Sequence, residues 1–383
     1  MSLDQVLEKI REIKVFISKE AAQRDIDAIW PEKELNVLKE ERLTGLVVPK
    51  ENGGHGLGLF ALAQSCELLA QGCPSTAMCF GMHNVGTAVL AAKATAFHKE
   101  KFLEPIARGK HLTTIALSEP GTGAHFYFPQ TKLQSLSNKE LKVTGSKTFV
   151  TNGGHADSYI ISTVAFDPGA DPFQFSCVVL EKSQENLIWG EPWMGLGMRG
   201  NSSRNLEIKD AIIPSSHLLG EEGDELWFVF NVVAPYFLTA MAGTYLGIAQ
   251  AAFDEAKNHL KSRTYSHSGT SLSENPFLQH RLGSVWAKLE RTRRLIYHAC
   301  QDGDNGNASA TLSIMAAKAE VAACANEVVN EAMTLTGGIG YRENGLLGRL
   351  LRDARAAHIM APTTDLLYTW IGRTLLDQPI LSD

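Results

Sequence analysis

Residues 141–154 have the sequence LKVTGSKTFVTNGG, and this stretch decides the class of fold. Apolar and polar residues alternate from Leu141 to Ser146, which is the period of a half-buried β-strand. The closing Asn152-Gly153-Gly154 predicts a turn, because these residues tolerate the backbone angles that tight turns require. The segment therefore predicts β-structure near the middle of the chain.

Short apolar runs extend this β pattern from about residue 113 to about residue 220. Residues 158–162 and 175–180 are bounded by Gly, Pro and Asp, and residues 203–213 continue the pattern. No helical pattern separates the runs, so we expect an antiparallel barrel or sandwich.

Helical patterns lie on both sides of this region. Apolar residues recur at helical spacing from Val6 to Ile17, and further helices are predicted near residues 60–69, 85–93 and 99–107. Four long helical segments are predicted towards the other end, at about 226–263, 276–302, 308–335 and 363–376. They favour a four-helix bundle.

The predicted fold is therefore an α+β multidomain protein with three parts in sequence order. These are an N-terminal α-helical domain (1–112), a middle antiparallel β-barrel or sandwich domain (113–222) and a C-terminal four-helix bundle (223–383).

The composition restricts the possible partners. The chain has 383 residues and a net charge of −6, and it contains no block of Lys and Arg, so we expect no nucleic-acid partner. The six Cys are interpreted as reduced core thiols, and no spacing of Cys or His predicts a metal site.

The most apolar run, residues 237–253, contains Thr239, Gly243 and Gln250, so we expect a buried helix and no membrane span. The charged, amphipathic start of the chain does not have the pattern of a signal peptide, and a cytoplasmic location is expected.

Three glycine-containing motifs are candidates for a binding site. Residues 117–123 (LSEPGTG) predict a tight loop with exposed backbone donors, although an ordinary turn has the same pattern. In residues 147–154 (KTFVTNGG), a Phe and a Thr lie on one face of a predicted strand, and this arrangement suits contact with a flavin ring. A hairpin with a Phe in the core has the same pattern. Residues 336–341 (TGGIGY) permit close approach of a diphosphate or of another backbone.

In the RDAR block that follows, at 352–355, Arg352 and Asp353 are interpreted as members of a buried ion-pair network.

The order and spacing of these motifs resemble the acyl-CoA dehydrogenase family over nearly the whole chain. The resemblance includes GLVVP at 45–49, GMRG at 197–200, GIAQ at 247–250 and the block from 337 to 355. It implies FAD bound between the β domain and the helical bundle, in a site that a second subunit completes. A homodimer or a homotetramer is therefore expected.

The resemblance also implies which residues contact FAD. Ser118 and Thr151 would hydrogen-bond the flavin ring, Phe149 would stack on it, and Arg263 would grip the diphosphate of the neighbouring subunit's cofactor. The remaining implied cofactor residues are Gln279, Gly337, Gly338, Thr363 and Asp365. Two matches are imperfect, because Ser266 replaces an aromatic after Arg263 and Thr334 replaces a Gln before the double glycine.

The catalytic base of the family has no counterpart at its usual positions. Ala361 stands where the resemblance places the Glu that takes the α-proton of the substrate, and an Ala cannot accept a proton. The alternative position on the first bundle helix is also lost, because residues 233–247 contain no Asp or Glu. Asp365 and His125 are weak candidates for a base, and the catalytic residues stay unknown.

Three functions follow from this pattern. The favoured one is oxidation of the CH–CH bond of an acyl thioester, on CoA or a carrier protein, with hydride transfer to flavin N5. Electrons would then pass to an electron-transfer flavoprotein or to oxygen. The alternatives are a reduced-flavin-dependent monooxygenase with flavin hydroperoxide chemistry, which needs no α-proton base, and a catalytically idle FAD protein.

Overall fold

The N-terminal part of the protein is helical in the computed structural model, which describes residues 1–381. Ser2 begins the first helix through a capping box, in which its hydroxyl accepts from Gln5 N and Gln5 Oε1 accepts from Ser2 N. The predicted apolar stripe from Val6 to Ile17 is buried. The helices are α1 (Leu3–Asp27), α2 (Glu32–Glu40), α3 (Leu59–Gly72), α4 (Pro74–Ala92), α5 (Ala96–His98) and α6 (Glu104–Ala107), with a π-helical turn at Lys99–Leu103.

The middle of the chain forms an eight-stranded sheet in the order β6-β7-β3-β2-β4-β5-β8, with β1 on β4. Its strands are β1 (Thr113–Ala116), β2 (Lys132–Ser137), β3 (Glu140–Val150), β4 (Ser158–Ala165), β5 (Phe175–Glu181), β6 (Leu187–Trp189), β7 (Arg204–Pro214) and β8 (Leu218–Leu219). Most pairs are antiparallel, as predicted, but β1 and β2 both pair with β4 in parallel.

The parallel pairs have a simple geometric origin. β1 pairs with Ser158–Ile161 of β4, and β2 pairs with Val164 and Ala165 further along the same edge. The two strands therefore occupy one position in the sheet, along one side of β4, and residues 117–131 separate them. This interruption places the LSEPGTG loop outside the sheet, where it is free to form a site.

The C-terminal part is again helical. It contains α7 (Glu225–Phe228), a π-helical turn (Val229–Val233), α8 (Ala234–Ser262), α9 (Pro276–Asp304), α10 (Ala310–Thr336), α11 (Leu346–Ile359) and α12 (Thr364–Leu375). The four predicted segments correspond to α7–α8, α9, α10 and α12. Helix α11, which carries the RDAR block, was not predicted, because Gly345 at its N-terminus provides no side-chain cap.

Helix α8 joins the N-terminal and C-terminal helices into one packed body. A Cβ at Gly243 or Gly247 would lie 2.3 Å from the carbonyl oxygen of Ala63 or Glu67, so these glycines let the backbones of α8 and α3 approach closely. Every residue from 238 to 249 is buried, as predicted. Within residues 1–381, the segment Glu225–Ser262 alone is long and apolar enough to span a bilayer by composition, and 56% of its most apolar window is buried.

All six Cys are buried and unpaired in the described part of the chain, as expected of core thiols. The proposed boundaries of the three domains stay predictions.

Candidate functional site

A cavity of about 720 Å³ lies between the sheet and the C-terminal helices. We call one side the β wall; it consists of residues 117–121, Thr148, Phe149 and Thr151. We call the opposite side the helix wall; it consists of Val233, Ala234, Phe237 and residues 359–362. The cavity therefore brings together two of the sequence motifs and the segment that contains Ala361.

The β wall is anchored by a buried ion pair. Lys147 Nζ lies 2.5 Å from Glu119 Oε1 and donates to the carbonyl oxygen of Ser162 at 2.6 Å and to its hydroxyl at 2.9 Å. Glu119 also accepts from Thr131 Oγ1 at 2.8 Å and from Gln130 N at 2.7 Å. Burial lowers the pKa of Lys147, and the neighbouring Glu119 carboxylate opposes that shift. The pair ties the interrupting loop to β3 and β4 and fixes Ser118 beside the cavity.

The polar groups of the β wall suit a planar ring with hydrogen-bonding edges. The hydroxyls of Ser118 and Thr151 line the cavity, and neither makes a hydrogen bond within residues 1–381. Phe149 is 62% exposed and has a φ of 55°, a left-handed conformation that is rare for a bulky residue. Such strain is concentrated at ligand sites. Free donors beside an exposed aromatic face therefore fit a flavin ring.

The helix wall is apolar where it faces the cavity. Val233, Ala234, Phe237 and Ala361 offer no proton acceptor, and Glu119 is the one Asp, Glu or His among the described lining residues. Because Glu119 is already held by Lys147 and Thr131, it is not a free base. The structure therefore agrees with the sequence that no carboxylate stands on this wall.

The two weak candidates for a base lie elsewhere. His125 is exposed, and its ring lies 5.8 Å from that of Tyr127, but it does not line the cavity. Asp365 is exposed in the first turn of α12 and also lies outside the lining. Thr363 caps this helix, since its hydroxyl accepts from Leu366 N at 3.3 Å.

The other expected cofactor residues lie at one end of the helical bundle and do not line the cavity. Arg263 is exposed at the end of α8 and has no ion-pair partner within residues 1–381, whereas Gln279 donates to Ser273 O at 2.8 Å in the first turns of α9. An ion pair of Arg281 with Glu331 brings this part of α9 beside the end of α10, where Gly337 and Gly338 lie exposed. One chain thus carries two separate groups of expected cofactor residues.

The RDAR block contributes to the core and to the rim of the cavity. Arg352 forms an ion pair with Asp25 of α1, as predicted. Asp353 is buried but, contrary to the prediction, has no ion-pair partner within residues 1–381; it accepts from Met198 N at 2.6 Å, and burial raises its pKa to about 6. Arg355 is exposed and lines the cavity, which the sequence did not indicate.

Sequence reasoning also missed the Glu119–Lys147 pair and Trp193, whose ring lies 6.0 Å from Phe149 at the mouth of the cavity. The sequence did contain an indication of this pair, because the charged Lys147 stands at a position of β3 where the pattern predicts an inward-facing side chain. Nothing local predicted Trp193, because it comes from a separate loop.

The fold and the β wall define a flavoprotein-like oxidoreductase. Three domain models of acyl-CoA dehydrogenases match the chain: the N-terminal domain at residues 5–110, the middle domain at 114–211 and the C-terminal domain at 239–376. The chain therefore belongs to the acyl-CoA dehydrogenase family, and it is an acyl-CoA dehydrogenase-like flavin oxidoreductase.

Individual relatives agree with this assignment. The chain is 28% identical to mitochondrial isovaleryl-CoA dehydrogenase of Arabidopsis thaliana, over 90% of this chain and 84% of that protein. Butyryl-CoA dehydrogenase from Megasphaera elsdenii superposes with a TM-score of 0.91 at 25% identity, covering 98% of each chain. FMN-bound TdsC from Paenibacillus sp. A11-2 has a TM-score of 0.89 at 19% identity, covering 99% of each chain, which shows a shared fold.

Proposed function

We propose that the cavity holds the isoalloxazine ring of FAD against the β wall and an acyl thioester against the helix wall. The unpaired hydroxyls of Ser118 and Thr151 beside the exposed ring of Phe149 are the observation that carries the cofactor assignment. Bound FAD would supply the two-electron (hydride) acceptor for this oxidation. The apolar side chains of Val233 and Phe237 would hold the acyl chain.

The thioester is proposed from the relatives rather than from a polar contact in the cavity. Isovaleryl-CoA and butyryl-CoA dehydrogenases carry their substrates' names, and both match the chain over most of its length. An acyl group on CoA or on a carrier protein suits the apolar helix wall.

The helix wall also limits the expected rate of thioester oxidation. Removal of an α-proton by a positioned side chain typically accelerates such a step by about 10²–10⁴. Since no free carboxylate or imidazole lines the described cavity, solvent has to take the proton, and we expect slow oxidation of the thioester.

A reduced-flavin-dependent monooxygenase is the second candidate, and the same observation favours it. That chemistry needs no α-proton base, so the apolar helix wall is compatible with it. Both candidate functions use the same flavin site. In thioester oxidation the substrate would reduce the flavin, whereas in the monooxygenase the reduced flavin would pass its electrons to oxygen.

One experiment separates the two. The FAD-loaded protein is mixed anaerobically with butyryl-, isovaleryl- and octanoyl-CoA, and flavin absorbance is followed. We expect slow bleaching with at least one thioester, and an Ala361→Glu variant should bleach roughly 10²–10⁴ times faster. Ala356→Glu, on α11 in the same cavity, is the matched control and should give no such gain.

Absence of bleaching in both the wild type and Ala361→Glu would reject the thioester proposal. Rapid, substrate-dependent oxygen consumption by the chemically reduced protein would then support the monooxygenase.

We also propose that a second copy of the chain supplies Arg263, Gln279, Gly337 and Gly338 to each flavin site, in a homodimer or homotetramer. On one chain these residues lie at the bundle end and outside the cavity. Mixed oligomers of Arg263→Ala and Ser118→Ala/Thr151→Ala chains should regain part of the FAD binding that each variant lacks. Failure to regain it would favour a site within one chain. The cytoplasmic location and the electron acceptor, either an electron-transfer flavoprotein or oxygen, stay proposals of the same kind.

A further inference from the structure

Lys318 lies on α10 directly behind the helix wall, and its side chain is fully buried. Its Nζ donates to the carbonyl oxygen of Pro362 at 2.8 Å and to that of Met360 at 3.3 Å. Met360 and Pro362, with Ala361 between them, all line the cavity. The ammonium is therefore one layer of backbone away from the cavity.

No carboxylate pairs with Lys318 within residues 1–381. Lys147, the other fully buried Lys, is paired with Glu119, which is the usual arrangement for a buried charge. Burial alone lowers the pKa of Lys318 to about 8. An unpaired buried ammonium costs free energy of folding, so its presence beside the cavity requires an explanation.

The turn that Lys318 holds is braced from other helices as well. From α8, the Tyr245 hydroxyl contacts Met360 Sδ at 3.1 Å, and from α11, His358 Nδ1 lies 3.1 Å from Thr364 Oγ1. The charged groups nearest to His358 are Arg355, Lys318 and, from α12, Asp365; burial and the two cations lower the pKa of His358, and Asp365 opposes them.

We propose that Lys318 is a positioning residue of the flavin site, which holds the 360–362 turn against the cavity and gives the helix wall a positive charge. This inference rests on the proposed function, because it requires that the cavity binds FAD. A positive charge behind an apolar wall favours negative charge in the cavity, since the surrounding dielectric is low. Two-electron reduction of a bound flavin brings such charge, so Lys318 should raise the reduction potential.

Two substitutions separate the hydrogen bonds from the charge. Lys318→Met removes both, and Lys318→Gln keeps amide donors but removes the charge. Lys288→Met is the matched control, because Lys288 is a surface residue of α9 paired with Glu327. The dissociation constant of FAD and the two-electron potential of the bound flavin are measured for all four proteins at pH 7 and pH 9.

We expect Lys318→Met to bind FAD roughly tenfold more weakly, because two charge-assisted hydrogen bonds to the turn are lost. Lys318→Gln should bind FAD almost as well as the wild type. Both should have a lower potential than the wild type at pH 7, and the difference should shrink at pH 9, where Lys318 is largely neutral. Tyr245 and His358 are present in all four proteins; loss of the Lys318 cation removes one of the causes that lower the pKa of His358, and burial and Arg355 still lower it.

Equal potentials in the wild type and Lys318→Gln at both pH values would overturn the inference while leaving the flavin site intact. Failure of the wild type to bind FAD would overturn the proposed function and this inference together. If Lys318→Met does not fold, Lys318→Gln alone still decides the role of the charge.

Discussion

The two walls of the cavity are built differently. The β wall is polar and rigid: Glu119 and Lys147 are buried as a pair, and the hydroxyls of Ser118 and Thr151 are left free for a ligand. The helix wall is apolar, and its segment around Ala361 is held from behind by Lys318. The β wall therefore has polar groups that suit a flavin, whereas the helix wall, which would face a substrate, has no proton acceptor among the described side chains.

In the proposed function, cofactor binding and reaction type depend on separate parts of the chain. The loop at 117–123 and the end of β3 would bind the cofactor. The turn at 359–362 would set the reaction, because Ala361 stands there where the family resemblance implies a Glu.

The largest expected effect is on the anchor of the β wall. Lys147→Met would leave Glu119 buried without its cation and should lower the free energy of unfolding by about 3–5 kcal/mol. Urea denaturation measures this loss. Lys142→Met is the control, because Lys142 lies 4.0 Å from the exposed Asp210, and its loss should change stability by less than about 0.5 kcal/mol. A similar small effect for both variants would show that the β wall is not anchored by this pair.

In the RDAR block, the buried Asp353 should make stability depend on pH. Burial raises its pKa to about 6, so the folded protein binds more protons than the unfolded chain between the unfolded pKa and pH 6. The stabilisation from protonation is present at low pH and is lost as the pH rises through about 6. Relative to Asp353→Asn, the wild type should lose up to roughly 3 kcal/mol between pH 4 and pH 7.

Urea denaturation of both proteins across this pH range tests the expectation for Asp353. Asp365→Asn, at an exposed position of α12, should show a flat difference from the wild type. A flat difference for Asp353→Asn as well would contradict the assigned pKa.

The next effect concerns the ligand side of the β wall. Ser118→Ala/Thr151→Ala should weaken FAD binding by roughly 5–150-fold, which corresponds to about 1–3 kcal/mol for two hydrogen bonds. Equilibrium titration of the flavin measures the change. Thr122→Ala, in the same loop but outside the lining, should bind FAD as the wild type does. Equal affinities for all three proteins would place the flavin elsewhere.

The smallest effect is expected at the start of α12. Thr363→Ala removes the side-chain cap and should reduce the free energy of unfolding by about 1 kcal/mol, with little effect on the β wall. Thr369→Ala, further along the same helix, is the control and should cost less than about 0.5 kcal/mol. Thermal denaturation compares the two, and an equal loss would contradict the role of Thr363 as cap.

The sequence predicted the order of helices, sheet and helices because hydrophobic periodicity is a local property. It also identified Ser118, Phe149 and Thr151, which one cavity brings together. It did not predict α11, which begins at Gly345 without a side-chain cap, or the parallel pairing of β1 and β2 with β4, which depends on contacts between distant segments. The partners of Lys147 and Lys318 are likewise set by tertiary packing, which periodicity does not encode.

The flavin content of the purified protein shows directly whether the cavity binds FAD. The chain is incubated with excess FAD, desalted, and its flavin absorbance is compared with its protein concentration. We expect about one FAD per chain in the wild type and much less in Ser118→Ala/Thr151→Ala. A colourless wild-type protein would contradict the assignment of the cavity as a flavin site.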